Sequence, residues 1–450
     1  MADHPTLALA RFASTLALES IPQATREYTK DLLLDTLACM LAGHQGEETG
    51  QVAAFAGALG QSQESSIVGG GRSTLAGATL LNAFLVTAVT MCDIHRPTLT
   101  HVTPEVMPPA LLIAERDGKS GADLLLALAI GCEVTTRIGV SLDFPEFRRR
   151  GWHGPGVIGP FGAAAAVGRL IGLDVEKMAK ALGLAGSQAA GTFAAWGTPT
   201  VKFHQCRGAL SGLMAALLAE QGFLATQEFL TAKDGGLYNT YTNGGKPDLA
   251  TEGLGKRWEL EQIALRAWPA ASTIGGMVTA MFDLVEQYEL KPERVRRIKV
   301  AMSETANRMH GIFPRYQGKF DALLSTHYCA SAILHDRALT LAQFEPARYN
   351  DPKLKSFAAD NVEVVGDPAL KEVQAVIEAE LTDGRTVSVR CDTPRGAPEN
   401  RLTRSQVEAK FRTYAQGRIA DARIEDVIAT VAKLEQLGDV RKLMEMLRVK

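Results

Sequence analysis

Residues 90–109, TMCDIHRPTLTHVTPEVMPP, concentrate titratable side chains in one short segment. Asp93, His95, Arg96 and His101 lie there among prolines at positions 97, 104, 108 and 109. Histidine changes charge near neutral pH, so such a segment could exchange protons with a bound molecule. Proline fixes φ and removes an N–H donor, which predicts a stiff loop rather than a helix interior or a central strand. A stiff loop suits a site; the alternative is a solvated connector whose histidines lie close by chance.

The bulk composition limits the classes of function. At 450 residues and 46% hydrophobic content, the chain can bury a large core divided among two or three domains. Its formal net charge is −2, so no overall field attracts nucleic acid or an anionic membrane, and we expect neither partner. The six cysteines have no C-x-x-C spacing, which favours reduced thiols in a cytoplasmic location over disulfides or structural zinc.

Targeting and membrane signals are weak in this sequence. The N-terminal segment MADHPTLALARF carries an acid and a histidine where a signal peptide has a basic region, so secretion is not expected. The longest apolar runs, such as LLNAFLVTAVTM, are too short to cross a bilayer. Residues 69–71, the three glycines of SSIVGGGRS, lack the G-x-G-x-x-G spacing and the helix start of a phosphate-binding loop, so we interpret them as a turn, and the H-E-x-x-H and G-x-S-x-G motifs are absent from the sequence.

Helical patterns fill roughly the first 260 residues and must position the histidine segment. Ser120 and Asp123 have the spacing of a capping box, and Asp174 is suited to N-cap a later helix. A run of small residues after Gly159 would let neighbouring helices approach closely. The predicted helices span residues 21–43, 120–139, 159–172, 172–186 and 208–223.

The pattern changes near Trp268. Alternating apolar and polar residues predict strands at 294–303 and 361–367, and a hairpin over 373–391 with Asp383-Gly384 at its turn. A loop over 393–402 then leads to a helix capped by Thr403, and helical pattern continues to the C-terminus. We therefore predict a mainly α protein: an all-helical domain of residues 1–266 and 403–450, and a smaller α+β lid domain of residues 267–402. A cleft between two domains is a common position for a small-molecule site.

Four stretches of the sequence resemble the MmgE/PrpD (2-methylcitrate dehydratase) family. They are NAFLVTAVTMCDIHRPTLTHVTPEVMPPALL, GWHGPGVIGPFGAAAAVGRLIGLDVEKMAKALGLAG, VKFHQCRGALSGLMAALLAEQGF and TPRGAPENRLTRSQVEAKFR, and DLLLDTLACMLAG near the N-terminus is similar to the family as well. The family includes 2-methylcitrate dehydratases, cis-aconitate decarboxylases and an iminodisuccinate epimerase. The resemblance implies a helical domain with a smaller lid, a homodimer, and action on a small polycarboxylate substrate without a cofactor or a metal.

The resemblance transfers two histidines to this chain. His101 matches the histidine of the family's H-P loop, and His153 in Gly-Trp-His-Gly matches its second histidine. Other positions depart from the family pattern. The family's D-F-D-D-T stretch is Met91 to His95 here, so only Asp93 remains of its acids.

Three further family positions are also changed. The family lysine falls on Val201, with Lys202 one position later. A third family histidine is missing, and Thr273 is the nearest polar replacement; the family tyrosine maps loosely to Phe313 or Tyr316.

Loss of water, loss of CO₂ and epimerisation all develop negative charge at a carbon next to a carboxylate. They therefore need a base, an acid and fixed cations. We expect His101 and His153 to act as the acid/base pair and Asp93 to orient a histidine, with His95 replacing part of the lost acid function. The alternatives are structural: His153 could cap the following helix, and His101 could bond a backbone carbonyl.

Cations and polar contacts complete the predicted site. Lys202, catalytic in this prediction, or Arg207 would hold a carboxylate, and His204, Thr273 and Tyr316 would contact substrate. Arginines 148–150 fit a solvated surface, with steering of anions toward His153 left open.

The sequence thus predicts a cytoplasmic lyase that needs no cofactor and acts on a di- or tricarboxylate. A hydro-lyase of the 2-methylcitrate dehydratase type is the first expectation. The alternatives are a decarboxylase, an isomerase or epimerase on the same scaffold, and a binding protein that has lost catalysis.

Overall fold

The structure of the chain is a computed structural model that describes residues 4–449. Residues 1–3, which belong to the N-terminal segment considered for secretion, lie outside the described part. The chain divides into two compact units. The first contains the chain up to Ala264 and again from Thr403, and the second is Leu265–Leu402.

The first unit is built almost entirely from helices. Its short strands pair as two antiparallel ladders, β1 (Ser65–Ser66) with β2 (Arg72–Ser73) and β3 (Ile94–His95) with β4 (Ile263–Ala264). The sequence does not predict these ladders, because two-residue strands are too short to produce an alternating pattern. The helices that precede the second unit are α1 Pro5–Thr15, α2 Gln23–Gly43, α3 Thr49–Ala58, α4 Leu75–Thr87, α5 Thr103–Asp117, α6 Gly121–Ser141, α7 Phe144–Arg149, α8 Gly154–Leu170, α9 Val175–Gly186, α10 Thr200–Glu220 and α11 Leu237–Tyr241.

Helix α8 lies at the centre of the first unit, in contact with α5, α6, α9 and α10. Small residues make these close approaches possible. A Cβ at Gly162 would overlap Thr135 of α6, and one at Gly212 would overlap Ala163. The predicted role of the small-residue helix in close packing is therefore confirmed, and the elements on either side of it can bring their side chains together.

Two of the predicted helix starts are confirmed in atomic detail. Ser120 and Asp123 form a reciprocal capping box at α6, and Asp174 accepts the backbone N–H of Lys177 at the start of α9. Helix α6 is also the one helix of the described residues long and apolar enough to cross a membrane. The prediction that the longest apolar runs are too short to cross a bilayer is therefore wrong for α6. The most apolar part of this helix is 94% buried inside the protein, as is usual for a core helix.

The prediction of a stiff loop over residues 90–109 is wrong from Thr103 onward. Helix α5 begins there and includes Pro108 and Pro109. Pro104 occupies the first turn, where a missing N–H costs little. The carboxylate of Asp93 accepts the backbone N–H of Val102 at 2.9 Å and that of Thr103 at 3.2 Å, so it caps the helix from outside. Capping and burial among neighbouring helices hold a helix that local propensity disfavours.

The second unit combines a four-stranded sheet with helices. The strands are β5 Val295–Met302, β6 Val362–Gly366, β7 Ala375–Leu381 and β8 Thr386–Cys391, in the order β6-β5-β7-β8. Strand β5 pairs parallel with β6 and antiparallel with β7, and the predicted hairpin β7–β8 turns at Gly384, where φ is 86°. The accompanying helices are α12 Gly275–Gln287, α13 Glu304–His310, α14 Lys319–Leu324, α15 Thr326–Asp336, α16 Pro346–Tyr349 and α17 Pro352–Asp360.

The chain returns to the first unit through the helix predicted to start at Thr403. Thr403 and Gln406 form a capping box at α18 (Arg404–Ala415), which α19 (Asp421–Ala432) and α20 (Arg441–Met446) follow. Lys410 of α18 donates to Asp35 of α2 at 2.6 Å and to the carbonyl of Met91 at 3.1 Å, and both side chains are buried. This contact fixes the backbone two residues before Asp93.

Candidate active site

Three histidines from separate parts of the first unit define the candidate site. His101 precedes α5, His153 is the N-cap of α8, and His204 lies in the first turns of α10. The Nδ1 atoms of His153 and His204 are 3.0 Å apart. The loop of His101 packs directly on that of His153, because a Cβ on Gly154 would overlap the hydroxyl of Thr100. Helix packing thus brings together residues more than 100 positions apart in sequence.

The ring of His101 is oriented by the backbone of Asp93. Nδ1 of His101 lies 2.6 Å from the Asp93 carbonyl oxygen and 3.6 Å from Sγ of Cys92. A carbonyl can only accept, so Nδ1 carries a proton and the neutral ring has its lone pair on Nε2. His101 therefore does bond a backbone carbonyl, as the structural alternative predicted. The same hydrogen bond fixes the tautomer that a base requires.

Asp93 therefore acts on His101 through its carbonyl, while its carboxylate caps α5. The hydroxyl of Thr103 also donates to that carboxylate, at 2.6 Å. Burial raises the pKa of Asp93, and the charge of His101 and these hydrogen bonds oppose the rise. In this geometry the backbone carbonyl of Asp93, and not its carboxylate, orients the ring of His101.

His153 is held neutral. Its side chain makes no capping bond to α8, which removes the alternative that it caps this helix. Burial lowers the pKa of His153 to about 3, and the positive charges of His204, His101 and Arg148 add to the effect. At neutral pH His153 is therefore the neutral imidazole, and its imidazolium form is strongly disfavoured.

His153 and His204 share one proton along the line between their Nδ1 atoms. One Nδ1 must donate and the other must accept, so the tautomer of each ring depends on the other. If His204 donates, Nε2 of His153 carries a proton; if His153 donates, its Nε2 carries the lone pair. His204 was predicted to contact substrate, and the structure adds that it sets the protonation state of His153. Burial also lowers the pKa of His204, with Arg207 as the second cause.

Glycines make room for this pair. A Cβ at Gly156 would overlap the carbonyl of Ala190 and lie 3.2 Å from Cβ of His204. Gly191 has φ of 130°, and its carbonyl accepts the backbone N–H of His153 at 3.0 Å. The segment after α9 is therefore held against the start of α8, beside both imidazoles.

Lys202 is not brought to the histidines. Its ammonium donates to Glu48 at 3.0 Å and to the carbonyl of Ala88 at 2.8 Å. Residues two apart on a helix lie on opposite sides, so Lys202 and His204 cannot share a face of α10. Val201, three positions before His204, is on the histidine side and is buried. Lys202 is therefore held in an ion pair with Glu48, on the side of α10 away from His204, and its predicted catalytic role stays a prediction.

Arg207 is occupied by backbone carbonyls. Its Nη1 donates to Gln188 at 2.7 Å, and its Nη2 donates to Gly156 at 2.9 Å and Ala190 at 2.8 Å. Nη1 also reaches the hydroxyl of Ser211 at 3.3 Å. These N–H groups tie α10 to the turn that carries Gly191, and the predicted role of Arg207 in holding a substrate carboxylate stays a prediction.

His95 is part of a different, sealed network. Its Nδ1 lies 2.8 Å from the hydroxyl of Thr98 and its Nε2 lies 3.2 Å from Glu259, and the residue is 0% exposed. Burial lowers its pKa, which Glu259 partly opposes. Both ring nitrogens are engaged with protein groups, and the expectation that His95 replaces part of the lost acid function stays a prediction. Its position in β3, paired with Ile263, explains why it faces inward.

Thr273 and Tyr316 belong to the second unit, and their predicted substrate contacts stay predictions. Thr273 is in the turn Ser272–Ile274 before α12. Tyr316 has φ of 54°, and its buried hydroxyl has no hydrogen-bond partner among the described residues. Its ring packs against Phe313 and Tyr328 at centroid distances of 5.8 and 5.9 Å, and burial raises its pKa to about 12.

Nothing in the sequence indicated a role for Glu105, and the sequence left open whether Arg148 attracts anions toward His153. Glu105 is 0% exposed, and neither carboxyl oxygen finds a hydrogen-bond partner within residues 4–449. It lies between two helices, since a Cβ at Gly159 or Gly208 would meet its Cγ. Arg148 lies over the ring of Phe193, beside His153. Glu105 stands in the proline-rich segment first read as a loop, so its burial gave no sequence signal.

No group of three or more metal-ligating side chains is found in the described part of the chain. A cavity of about 350 Å³, lined by Ser14, Lys119, Asp123 and Arg169, lies at the opposite end of α8 from His153. The 17 residues of α8 separate the two ends by roughly 25 Å, so this cavity takes no part in the histidine site.

Comparison with known proteins identifies similar sequences over nearly the whole chain. Family models described as the MmgE/PrpD N-terminal and C-terminal domains match residues 7–250 and 268–436. A cis-aconitate decarboxylase-like protein of Aspergillus oryzae is 28% identical, covering 98% of this chain and 97% of its own. A cis-aconitate decarboxylase of Aspergillus terreus is 26% identical over 98% and 95% of the two chains, and one of Homo sapiens is 28% identical over 93% and 89%.

Proposed function

Since the chain belongs to the MmgE/PrpD family, we propose that it is a lyase that uses histidine acid/base chemistry on a small di- or tricarboxylate, without a redox cofactor. Decarboxylation of an unsaturated tricarboxylate is the reaction we favour, because several similar proteins are cis-aconitate decarboxylases. This choice replaces dehydration of the 2-methylcitrate type as the first expectation; dehydration becomes the second candidate.

The contact between His153 and His204, beside the loop of His101, is the observation that supports the proposal most strongly. Two neutral imidazoles joined at 3.0 Å form a path for a proton, and a third imidazole with a fixed tautomer lies on the adjacent loop. Proton transfer at a carbon next to a carboxylate is the step that decarboxylation, dehydration and epimerisation have in common.

Decarboxylation needs one proton delivered to carbon. The bond to the departing carboxylate breaks, and its electron pair forms the new C=C bond. The displaced π electrons take a proton at the carbon next to a remaining carboxylate. His101 can deliver this proton from Nε2 after accepting one there, because Nδ1 keeps its hydrogen bond to the Asp93 carbonyl throughout.

The histidine pair can supply a proton without forming the disfavoured imidazolium. When Nε2 of His153 gives up its proton, Nδ1 of His204 passes one to Nδ1 of His153, and Nε2 of His204 is recharged from solvent. Each ring is neutral before and after this transfer. The low pKa of His153, about 3, is therefore compatible with a part in catalysis.

The remaining candidates differ in what they release. A dehydratase would remove a proton from carbon at one histidine and protonate a leaving hydroxide at another. An epimerase would exchange the proton without releasing water or CO₂. A binding protein that has lost catalysis would do neither, and the replacements Met91 and Val201 are the observations that favour it.

The experiment is turnover of cis-aconitate and 2-methylcitrate in D₂O, followed by proton NMR and by CO₂ release. We expect CO₂ from cis-aconitate and one deuterium in the product. His101→Ala and His153→Ala should each lower kcat by about 100-fold or more, the usual contribution of a general acid or base. His4→Ser, which keeps an N-cap side chain on α1, should leave turnover unchanged. Equal rates in the wild type, His101→Ala, His153→Ala and His4→Ser would contradict the proposal.

We also propose a homodimer in the cytoplasm. The support for self-association is an apolar face on α10, where Met214 and Leu218 are 41% and 40% exposed, continuing to Phe55 of α3. Phe55 contacts Phe203 of α10 at 6.5 Å between ring centroids. Light scattering should give twice the mass of the chain for the wild type and the monomer mass for Met214→Glu. A monomeric wild type would refute the dimer.

A further inference from the structure

Arg148 is a cation beside the histidine pair, and no carboxylate among the described residues forms an ion pair with it. Its Nη1 donates to the carbonyl of Trp152, the residue before His153, at 2.8 Å. Its guanidinium carbon lies 3.5 Å from the ring centroid of Phe193, and that ring is 6.1 Å from the ring of His153. Because both distances are measured from the centre of the Phe193 ring, the guanidinium carbon lies no farther from the centre of the His153 imidazole than their sum.

The two neighbouring arginines behave differently. Arg149 and Arg150 both pair with Glu146, at 2.7 and 2.9 Å, and the side chain of Arg149 is 71% exposed. Arg148 has no carboxylate partner within residues 4–449, and it is about half-buried, which lowers its pKa. A charge that is partly removed from water without a partner costs free energy, so a counter-charge from a ligand would be stabilising there.

The orientation of Arg148 leaves its binding edge available. Stacking on Phe193 uses the flat face of the guanidinium, and the bond to Trp152 uses Nη1. The Nε–Nη2 edge carries two parallel N–H groups, the arrangement that binds a carboxylate in a bidentate manner. Neither atom has another partner among the residues that the structure describes.

We propose that Arg148 binds one carboxylate of the substrate and thereby selects a polycarboxylate, with the reacting carbon beside His153. This inference rests on the proposed function and names the residue that recognises the substrate class. It also assigns to Arg148 the role of holding a carboxylate, which the sequence predicted for Lys202 or Arg207. Both of those cations are committed to protein groups, so Arg148 is the one of the three with a bidentate edge to offer.

Binding of three unreactive ligands tests the assignment. Propane-1,2,3-tricarboxylate has all three carboxylates, glutarate lacks the central one, and methylsuccinate lacks a terminal one. Isothermal titration calorimetry should show that Arg148→Gln weakens binding of the tricarboxylate by about 10- to 100-fold, the usual effect of losing charge-assisted hydrogen bonds. The affinity for one dicarboxylate should fall by the same factor. The affinity for the other, which lacks the carboxylate held by Arg148, should change less than about threefold.

Two variants separate recognition from structure. Arg148→Lys keeps the charge but cannot bind in a bidentate manner, so it should recover only part of the affinity. Arg149→Gln removes a charge from the same helix and should bind all three ligands as the wild type does. Arg148→Met keeps the stem that packs on Phe193 and should reproduce the loss seen with Gln if the variant chain remains folded.

Different outcomes would overturn the proposed function and the role of Arg148. If the wild type binds none of the three ligands, the proposed function is overturned, and the role of Arg148 with it. If the wild type binds and Arg148→Gln binds equally well, the proposed function stands and the assignment of Arg148 is wrong. An equal loss in Arg149→Gln would show a general effect of charge and would also overturn the assignment.

Discussion

Replacing Glu105 by glutamine should stabilise the protein at neutral pH, although it removes a native charge-bearing group. Glu105 is fully buried against Gly159 and Gly208, and its carboxyl has no hydrogen-bond partner among residues 4–449. Burial raises its pKa well above the usual value, and the charge of Asp93 raises it further. Glutamine has almost the same shape and cannot ionise, so it removes the cost of keeping this side chain protonated.

The size and sign of the effect follow from proton linkage. A carboxyl with a raised native pKa binds more protons in the folded protein than in the unfolded chain. Its contribution to stability is therefore complete below the unfolded pKa, about 4.3, and is lost as the pH rises toward the native pKa. The loss is about 1.4 kcal/mol per pH unit. Between pH 5 and 7 the advantage of Glu105→Gln should grow by as much as about 2.7 kcal/mol.

Urea unfolding at pH 5, 6, 7 and 8, followed by tryptophan fluorescence, measures this difference. Three of the four tryptophans, at positions 152, 196 and 258, lie in the same unit as Glu105. Glu115→Gln is the matched control on the same helix. Its carboxylate is buried too, but it accepts from the backbone and hydroxyl of Ser66, so this change should cost about 1–3 kcal/mol. An advantage of Glu105→Gln that does not vary with pH, or a loss like that of Glu115→Gln, would refute the reasoning.

Three further predictions concern the site and its surroundings. Nitrogen-15 spectra of the free protein should show the His153 ring neutral from pH 8 to pH 4, because its pKa is held near 3; titration near pH 6.5 would contradict the burial of this ring. Lys202→Met should lower the free energy of unfolding by about 1–3 kcal/mol because it leaves Glu48 unpaired, and kcat per folded molecule should change less than about twofold. A 100-fold loss of kcat would show instead that Lys202 is catalytic. Tyr316→Phe should leave the unfolding free energy of the second unit unchanged within about 0.5 kcal/mol, because its hydroxyl makes no hydrogen bond to a described residue, and a decrease in kcat would assign that hydroxyl to the substrate.

Much of the helix and strand pattern could be predicted because it depends on neighbours in sequence. The capping boxes at Ser120 and Thr403 involve residues three apart, and the β7–β8 hairpin depends on the turn at Asp383-Gly384. The resemblance of short motifs likewise gave His101 and His153. The helix that contains Pro108 and Pro109 was missed because its stability comes from burial and from a cap by Asp93, ten residues before Thr103.

The sequence by itself thus determined the helical body, the α+β unit, the family resemblance and two histidines of the candidate site, since each is encoded by local periodicity or by a short motif. Only the tertiary structure decided which cations and imidazoles face the site. Lys202 and His95 are committed to Glu48 and Glu259, which lie 154 and 164 positions away in the chain, and His204 meets His153 across 51 positions. The direction of a side chain within a packed core is set by such distant partners, and no pattern of neighbouring residues specifies it.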